Sequence, residues 1–179
     1  KKLALFDAKK DGRVFAYDKS KLVILCTGGA ISGVELKKVL RNVYDIELEM
    51  AGVNYAVAMS GAGDTRDNFS ALENALFAID DTLSERNGLT KTITPILPQK
   101  AVDPCKTNGL SGEYVDFDKS SGKISLENVW AYPPGSPIIV KGEIVCQDDI
   151  KNLTLMYENG VSVSSETRRF PSQILVEKQ

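Results

Sequence analysis

The 179-residue sequence predicts an α+β protein, a small α/β sandwich with the order β-α-β-β-α followed by a second small α+β segment. Three observations carry this expectation. Short apolar strands alternate with stretches of helical periodicity through the first half, prolines punctuate the chain from about residue 85, and 42% hydrophobic content is enough for a real core. The organisation reads as a domain over 1–84, a linker over 85–105 and a C-terminal segment over 106–179.

Leu22–Leu25 is a short buried strand that runs into a tight turn at Gly28-Gly29. Ser32, with Glu35 three residues later, forms a capping box, after which Leu36, Val39, Leu40 and Val43 fall on one helical face. "IELEMAGVNYAVAMS" continues as strand, strongest at Tyr55–Met59. "GAGDTRDNF" then punctuates the chain, with Asp64 or Thr65 capping a second helix whose apolar face is Phe69, Leu72, Leu76, Ile79 and Leu83. A strand entering glycines and a helix also outlines a phosphate loop. The spacing here is neither GxGxxG nor GxxxxGK with a following Ser or Thr, and Asp64 stands where a phosphate wants a cation. Both glycine turns therefore read as turn and cap.

Pro95, Pro98 and Pro104 exclude a central helix or strand from the linker, and Ile93, Ile96 and Leu97 are expected to pin it to a neighbouring surface. Beyond it, "YVDFDKSSGKISLENVW" reads as a strand, a Lys-Ser-Ser-Gly turn and a second extended segment. In "AYPPGSPIIVKGE", Pro133 and Pro134 fix two φ angles, Gly135 permits close backbone approach, and Pro137 limits hydrogen bonding at the entry to Ile138–Val140. The result is a rigid corner. A helix with Ile150, Leu153 and Met156 on its apolar face follows.

Composition bounds the function. The net charge is −2 and no Lys or Arg run forms a phosphate-tracking stripe, which argues against nucleic acid or an anionic membrane as partner. No apolar stretch approaches the roughly 20 residues of a membrane span, so a cytoplasmic location is expected. Cys26, Cys105 and Cys146 are odd in number and widely spaced, against a disulfide framework or a metal site, and each is expected to be a small buried hydrophobe. The chain has no histidine, which removes the commonest general base and any Ser-His or Cys-His nucleophile pair. It starts Lys1-Lys2 with no Met, as a processed product or an excised piece of something longer does.

"SGKISLENVWAYPPGSPIIVKGEIVCQDDIKNLTLMYENGVSV" resembles the C-terminal region of the ornithine/lysine/arginine decarboxylase family. The family pattern there is a Ser-Gly-Arg/Lys turn, Tyr-Pro-Pro-Gly-Ile/Val-Pro, an apolar strand, Pro-Gly-Glu, and a helix ending in Gly. Upstream, the Ser-Gly-x-x-Leu helix from Ser32, the Ile-Glu-x-Glu-Met stretch from Ile46 and the Gly-Asp-Thr turn at 63–65 also look like the family. Three positions depart from the pattern: Ser136 stands for Ile or Val, Lys141 for the proline of Pro-Gly-Glu, and Cys146 for a Thr that caps the last helix.

The resemblance implies a place in a larger pyridoxal-phosphate enzyme chain. That enzyme releases carbon dioxide from arginine, lysine or ornithine, the cofactor serving as electron sink. Its Schiff-base lysine follows a histidine in the N-terminal cofactor domain. With no histidine here, no residue of this chain is expected to be catalytic, to bind cofactor or to ligate metal, and pyridoxal phosphate is expected in the full-length enzyme only. The implied partners are that missing N-terminal domain, further copies in a homo-oligomer, and the basic amino acid. Tyr132, Pro133, Pro134 and Gly135 become candidate walls of the substrate channel, with Glu127 and Glu143 as candidate carboxylates for the distal amine or guanidinium. On residue chemistry alone, Glu143 serves equally as a structural carboxylate near the next helix, Glu127 faces solvent as readily as substrate, and Trp130 reads as packing. Two rival readings are a small-molecule-binding regulatory domain and a structural oligomerisation module.

Overall fold

Ser32 opens the first helix, α1 (Gly33–Tyr44), through the expected capping box: its hydroxyl accepts the Glu35 N–H at 3.1 Å, and the Glu35 carboxylate accepts the Ser32 N–H at 2.8 Å. The computed structural model describes residues 1–9, 12–86, 93 and 96–178, and mixes helix and sheet as the α+β expectation requires. Two compact units divide the chain, 1–92 and 93–179. Of the expected linker, residues 87–92, 94 and 95 lie outside the described residues, Pro95 among them.

In the first unit, β1 (Ala4–Leu5), β2 (Lys21–Leu25), β3 (Met50–Ala51) and β4 (Tyr55–Met59) form an antiparallel sheet in the order β1-β2-β4-β3. β1 precedes the strands legible in the sequence. Ile24 lies opposite Ala56 and Leu22 opposite Ala58, so one face of the sheet carries the core shared with α1 and α2 (Arg66–Thr82). Leu36 and Leu40 are fully buried and Val39 packs beside them, whereas Val43 is 69% exposed. On α2, Ala75 and Ile79 are buried and Leu72, Leu76 and Leu83 flank them, but Phe69 is 44% exposed. An apolar stripe of a surface helix holds three or four residues per two turns, and Ala75 takes the central place at closest approach. Thr65 rather than Asp64 caps α2, pairing with Asn68, while Asp64 accepts the Gly61 N–H at 2.7 Å.

Two polar knots close this unit. The Asp80 carboxylate accepts the N–H groups of Leu3 at 2.6 Å and Lys2 at 2.7 Å, which ties the start of the sheet to α2. Those donors, Leu3 first, hold its carboxyl below the ordinary value. A depressed folded pKa contributes stability that is present above the unfolded value near pH 4 and is lost as pH falls through the lower folded value. Asp80→Asn is therefore expected to flatten the acid limb of the stability profile below about pH 4, measured by urea unfolding from pH 2 to 7. The second knot fills the Gly28-Gly29 turn: Arg86 donates to the carbonyls of Gly29 (3.1 Å), Cys26 (3.2 Å) and Ile31 (2.7 Å). Burial pushes the Cys26 thiol up to about 11, so it is an inert hydrophobe.

Among its described residues the second unit holds three small antiparallel sheets. β5 (Gln99–Lys100) pairs with β9 (Glu143–Ile144), β6 (Gly112–Asp116) with β11 (Gln173–Glu177), and β7 (Val129–Tyr132) lies between β8 (Ser136–Ile139) and β10 (Ser162–Ser165). The extended segment after the Ser-Ser-Gly turn does not pair back on β6. It makes isolated bridges, Ile124 to Ile144 and Ser125 to Val176. Short 3-10 helices span Pro104–Gly109 and Phe117–Lys119, and α3 (Gln147–Glu158) packs Ile150 and Leu153 onto Val129, Ile139, Val145, Ile174 and Val176. Leu97 is 95% exposed and pins nothing, and Cys105 is exposed, against the expectation of buried cysteines. Both lie where short proline-bounded segments leave no second layer to cover a side chain.

Cys146 stands at the N-cap of α3, with the Asp149 carboxylate accepting its N–H at 2.8 Å. A thiol is a weak acceptor for the first-turn N–H groups where a hydroxyl is a good one. Cys146→Thr is expected to raise stability by about 0.5–1 kcal/mol, read as an upward shift of the thermal midpoint.

Candidate functional site

The Tyr-Pro-Pro-Gly corner is the tip of the β7–β8 hairpin. Ala131 lies opposite Ser136, and the Gly135 N–H closes the turn on the Ala131 carbonyl at 2.9 Å. Both proline peptide bonds, Tyr132–Pro133 and Pro133–Pro134, are cis. β10 supports the hairpin from the other side through Tyr132–Ser162 and Trp130–Ser164 pairs, and Trp130 is half-buried. The tip itself is open: Tyr132 is 62% exposed, Pro134, Gly135, Ser136 and Pro137 are exposed, and Pro133 is half-buried. A large aromatic ring is thus displayed on a backbone that prolines keep from relaxing.

The two candidate carboxylates sit elsewhere. Glu127 is 1% exposed, and its carboxylate is spent on three internal donors: Oε2 accepts from the Thr167 N–H (2.9 Å) and hydroxyl (2.8 Å), and Oε1 from the Leu175 N–H (2.7 Å). This clamps the approach to β7 onto β11 and the turn before it. Glu143 Oε2 accepts the Val140 N–H at 2.8 Å, within the turn whose other bond runs from the Glu143 N–H to the Val140 carbonyl. Its partner is its own turn, not α3.

Because Val129 pairs with Ile139, both Glu127 and the Val140–Glu143 turn flank the base of the hairpin. Tyr132 is five residues from Glu127, about 16 Å along an extended strand. The structure brings the two carboxylates to one end and the Tyr132–Gly135 tip to the other.

The hairpin base contains residues that sequence reasoning missed. Gly142 has φ +91, and a Cβ there would meet the Val102 carbonyl oxygen at 2.2 Å, so the middle of Lys-Gly-Glu must be glycine. Lys141, the departure from proline, donates its N–H to Asn128 Oδ1 at 2.9 Å, a bond that proline cannot make. Asn128 Nδ2 in turn donates to Glu166 Oε1 at 2.6 Å, and Lys141 Nζ lies 3.7 Å from the same oxygen. The signal was the departure itself, a residue with an N–H where the family pattern has none.

The glycine turns do not make a phosphate cradle. Carbonyls of the Gly28-Gly29 turn face the Arg86 guanidinium, and the Gly61 N–H is held by Asp64. Among the described residues no group of three or more His, Cys, Asp or Glu side chains stands close enough to hold a metal, and no helix is long and apolar enough to cross a membrane.

Residues 87–163 match the family described as Orn/Lys/Arg decarboxylase, C-terminal domain. Over those residues the chain belongs to the C-terminal domain of this decarboxylase family. It is 28% identical over 152 residues to an arginine decarboxylase of Bacillus subtilis (strain 168), a match covering 83% of this chain and 31% of that protein. Identity to an arginine decarboxylase of Halalkalibacterium halodurans is 30% over 149 residues, 81% of this chain and 30% of the relative. Among solved structures, the constitutive lysine decarboxylase of E. coli superposes with a TM-score of 0.65 at 15% identity, covering 93% of this chain and 33% of that one. Lysine decarboxylase A from Pseudomonas aeruginosa gives 0.64 at 17% identity, covering 90% and 30%. These likenesses show a shared fold. The chain spans about a third of the length of the relatives it matches.

Proposed function

We propose that this chain is the C-terminal portion of a cytoplasmic, pyridoxal-phosphate-dependent decarboxylase that converts arginine, lysine or ornithine to an amine and carbon dioxide. In this reading it shapes the substrate channel and subunit contacts of a homo-oligomer and lacks the cofactor lysine. The observation that carries the reading is the exposed, proline-stiffened Tyr132–Gly135 tip on a unit that matches the C-terminal domain of these enzymes.

The two glycine turns do not fit the cofactor phosphate. A cofactor phosphate needs free backbone N–H groups or cations, and the glycine turns present carbonyls to Arg86 and a carboxylate from Asp64. The cofactor is therefore assigned to the preceding part of the enzyme, and the bond-breaking chemistry belongs there with it. What this chain supplies is wall and support. Tyr132 and the prolines present a flat, dry surface to the methylene chain of a basic amino acid, and excluding water there strengthens its ion pair with a carboxylate. Glu127, with both oxygens engaged, and Glu143, through Oε2, hold the corner in place from the hairpin base, and the carboxylate that meets the distal amine or guanidinium is assigned outside this hairpin.

Carbon dioxide release from arginine, lysine and ornithine tests the proposal, assayed on the longer polypeptide carrying this chain and on the 179-residue chain alone. The longer polypeptide is expected to decarboxylate one of the three. Tyr132→Ala in it is expected to raise KM about tenfold, a loss of about 1.4 kcal/mol of binding, with the thermal midpoint unchanged. Release from none of the three overturns the proposal. Stoichiometric amino acid binding to the 179-residue chain alone puts the regulatory-domain reading in its place.

A further inference from the structure

The N-terminal unit carries a groove of about 780 Å³ between α2 and the β1–β2 edge of the sheet. Its floor and walls are apolar: Leu5, Leu22, Phe69, Leu76 and Phe77 line it, with Leu5 61%, Phe69 44% and Phe77 45% exposed. Helix α2 thus has two apolar faces, Ala75 and Ile79 turned into the core and Phe69 and Phe77, eight residues apart, turned into the groove. An apolar face of this kind, rimmed by charged residues, marks an interaction surface.

The chemistry of the rim says what kind of occupant fits. A small-ligand site converges a few polar groups on an apolar pocket. Here Asp80 is spent on Lys2 and Leu3, and the Lys1 ammonium lies over the Phe77 ring, 4.4 Å from its centroid. Arg66 and Glu73 also stand on the lining, so both signs of charge border the groove without a common focus. Such a surface suits a polypeptide face with apolar residues along its centre and charged ones at its margins.

On the proposed function above, we infer that the groove is covered by the polypeptide that precedes Lys1 in the same enzyme. The relatives are about three times the length of the match, and the family match is to a C-terminal domain, so the bulk of such an enzyme lies on the N-terminal side. Lys1, Leu3, Ala4 and Leu5 are themselves groove residues. Polypeptide entering at Lys1 is delivered to the groove mouth and needs no diffusional encounter to fill it.

Single cysteines at the groove test this. Phe69→Cys and Phe77→Cys, each in a Cys105→Ser background because Cys105 is exposed, are labelled with iodoacetamide in the 179-residue chain and in the longer polypeptide. Rates are normalised to the unfolded protein, and carbon dioxide release is recorded on the same samples. Both cysteines are expected to react freely in the 179-residue chain and at least tenfold more slowly in the longer polypeptide. That protection supports the inference even where no substrate is decarboxylated, a result that would sink the functional proposal alone. Equal, fast labelling in both polypeptides overturns the inference, whether or not the enzyme is active. Slow labelling in the 179-residue chain also overturns it; protection that grows with protein concentration assigns the groove to a second copy.

Discussion

Replacing Glu127 with alanine is expected to destabilise the C-terminal unit by about 3 kcal/mol, because it empties a buried site and strands three part-buried donors at roughly 1 kcal/mol each. For a unit of this size that corresponds to a fall in thermal midpoint of more than about 12 °C. Hydrogen exchange supplies the local readout: the Leu175 and Thr167 amides, which donate to the Glu127 carboxylate, should lose protection first. Glu127→Gln keeps the shape but turns an NH2 group toward at least one of those donors, so it is expected to fall between wild type and alanine. The experiment separates two roles for one residue. A carboxylate that holds the hairpin base loses stability and activity together, whereas one that meets the substrate loses affinity with the midpoint intact. A midpoint change under about 2 °C in Glu127→Ala would refute the clamp.

Gly33→Ala is expected to damage the N-terminal unit more severely than its mild chemistry suggests. A Cβ at residue 33 would lie 1.8 Å from the Tyr55 carbonyl oxygen and 2.6 Å from that of Gly52. Both obstacles are backbone, so neither yields by a rotamer change; α1 must move off the β3–β4 turn, breaking the bond from the Gly33 N–H to the Val53 carbonyl. The expected cost exceeds about 3 kcal/mol, at the upper end for overpacking. Gly63→Ala is the control. Nothing lies within 4 Å of a Cβ there, and the change is expected to be neutral or to stabilise by up to about 1 kcal/mol. Circular dichroism melts of the two variants check both statements, and equal midpoints would refute the close-approach account.

Much of the fold was legible because local chemistry suffices to specify it. Ser32 and Glu35 satisfy helix N–H groups within one turn, and Leu36 and Leu40 follow at helical spacing, so a short window holds the whole signal. The rigid corner was legible for the same reason, since prolines constrain their own backbone wherever they stand. β10 and β11 are not legible in the sequence, even though Gln173–Glu177 alternates in burial along its length. The partner of β11 is β6, some sixty residues away in the chain, and no local window contains that pairing. β1 is illegible for the same reason: two residues long, it is defined by its pairing with β2, just after the Lys2 and Leu3 N–H groups that Asp80 on a distant helix holds.

By itself, the sequence determined the α+β class, the helix starts at Ser32 and near Thr65, the turn chemistry around residues 132–137 and the family that residues 87–163 match. Each rests on interactions within a few residues or on an ordered motif. Only the tertiary structure decided what the carboxylates and the second face of α2 do. Glu127 became a clamp, Glu143 a turn closure and Phe69 part of an open groove because burial and hydrogen-bond partners are properties of the assembled surface. A carboxylate carries the same letter whether its oxygens meet a backbone N–H or open water, and the difference arises only when distant strands bring the donors to it.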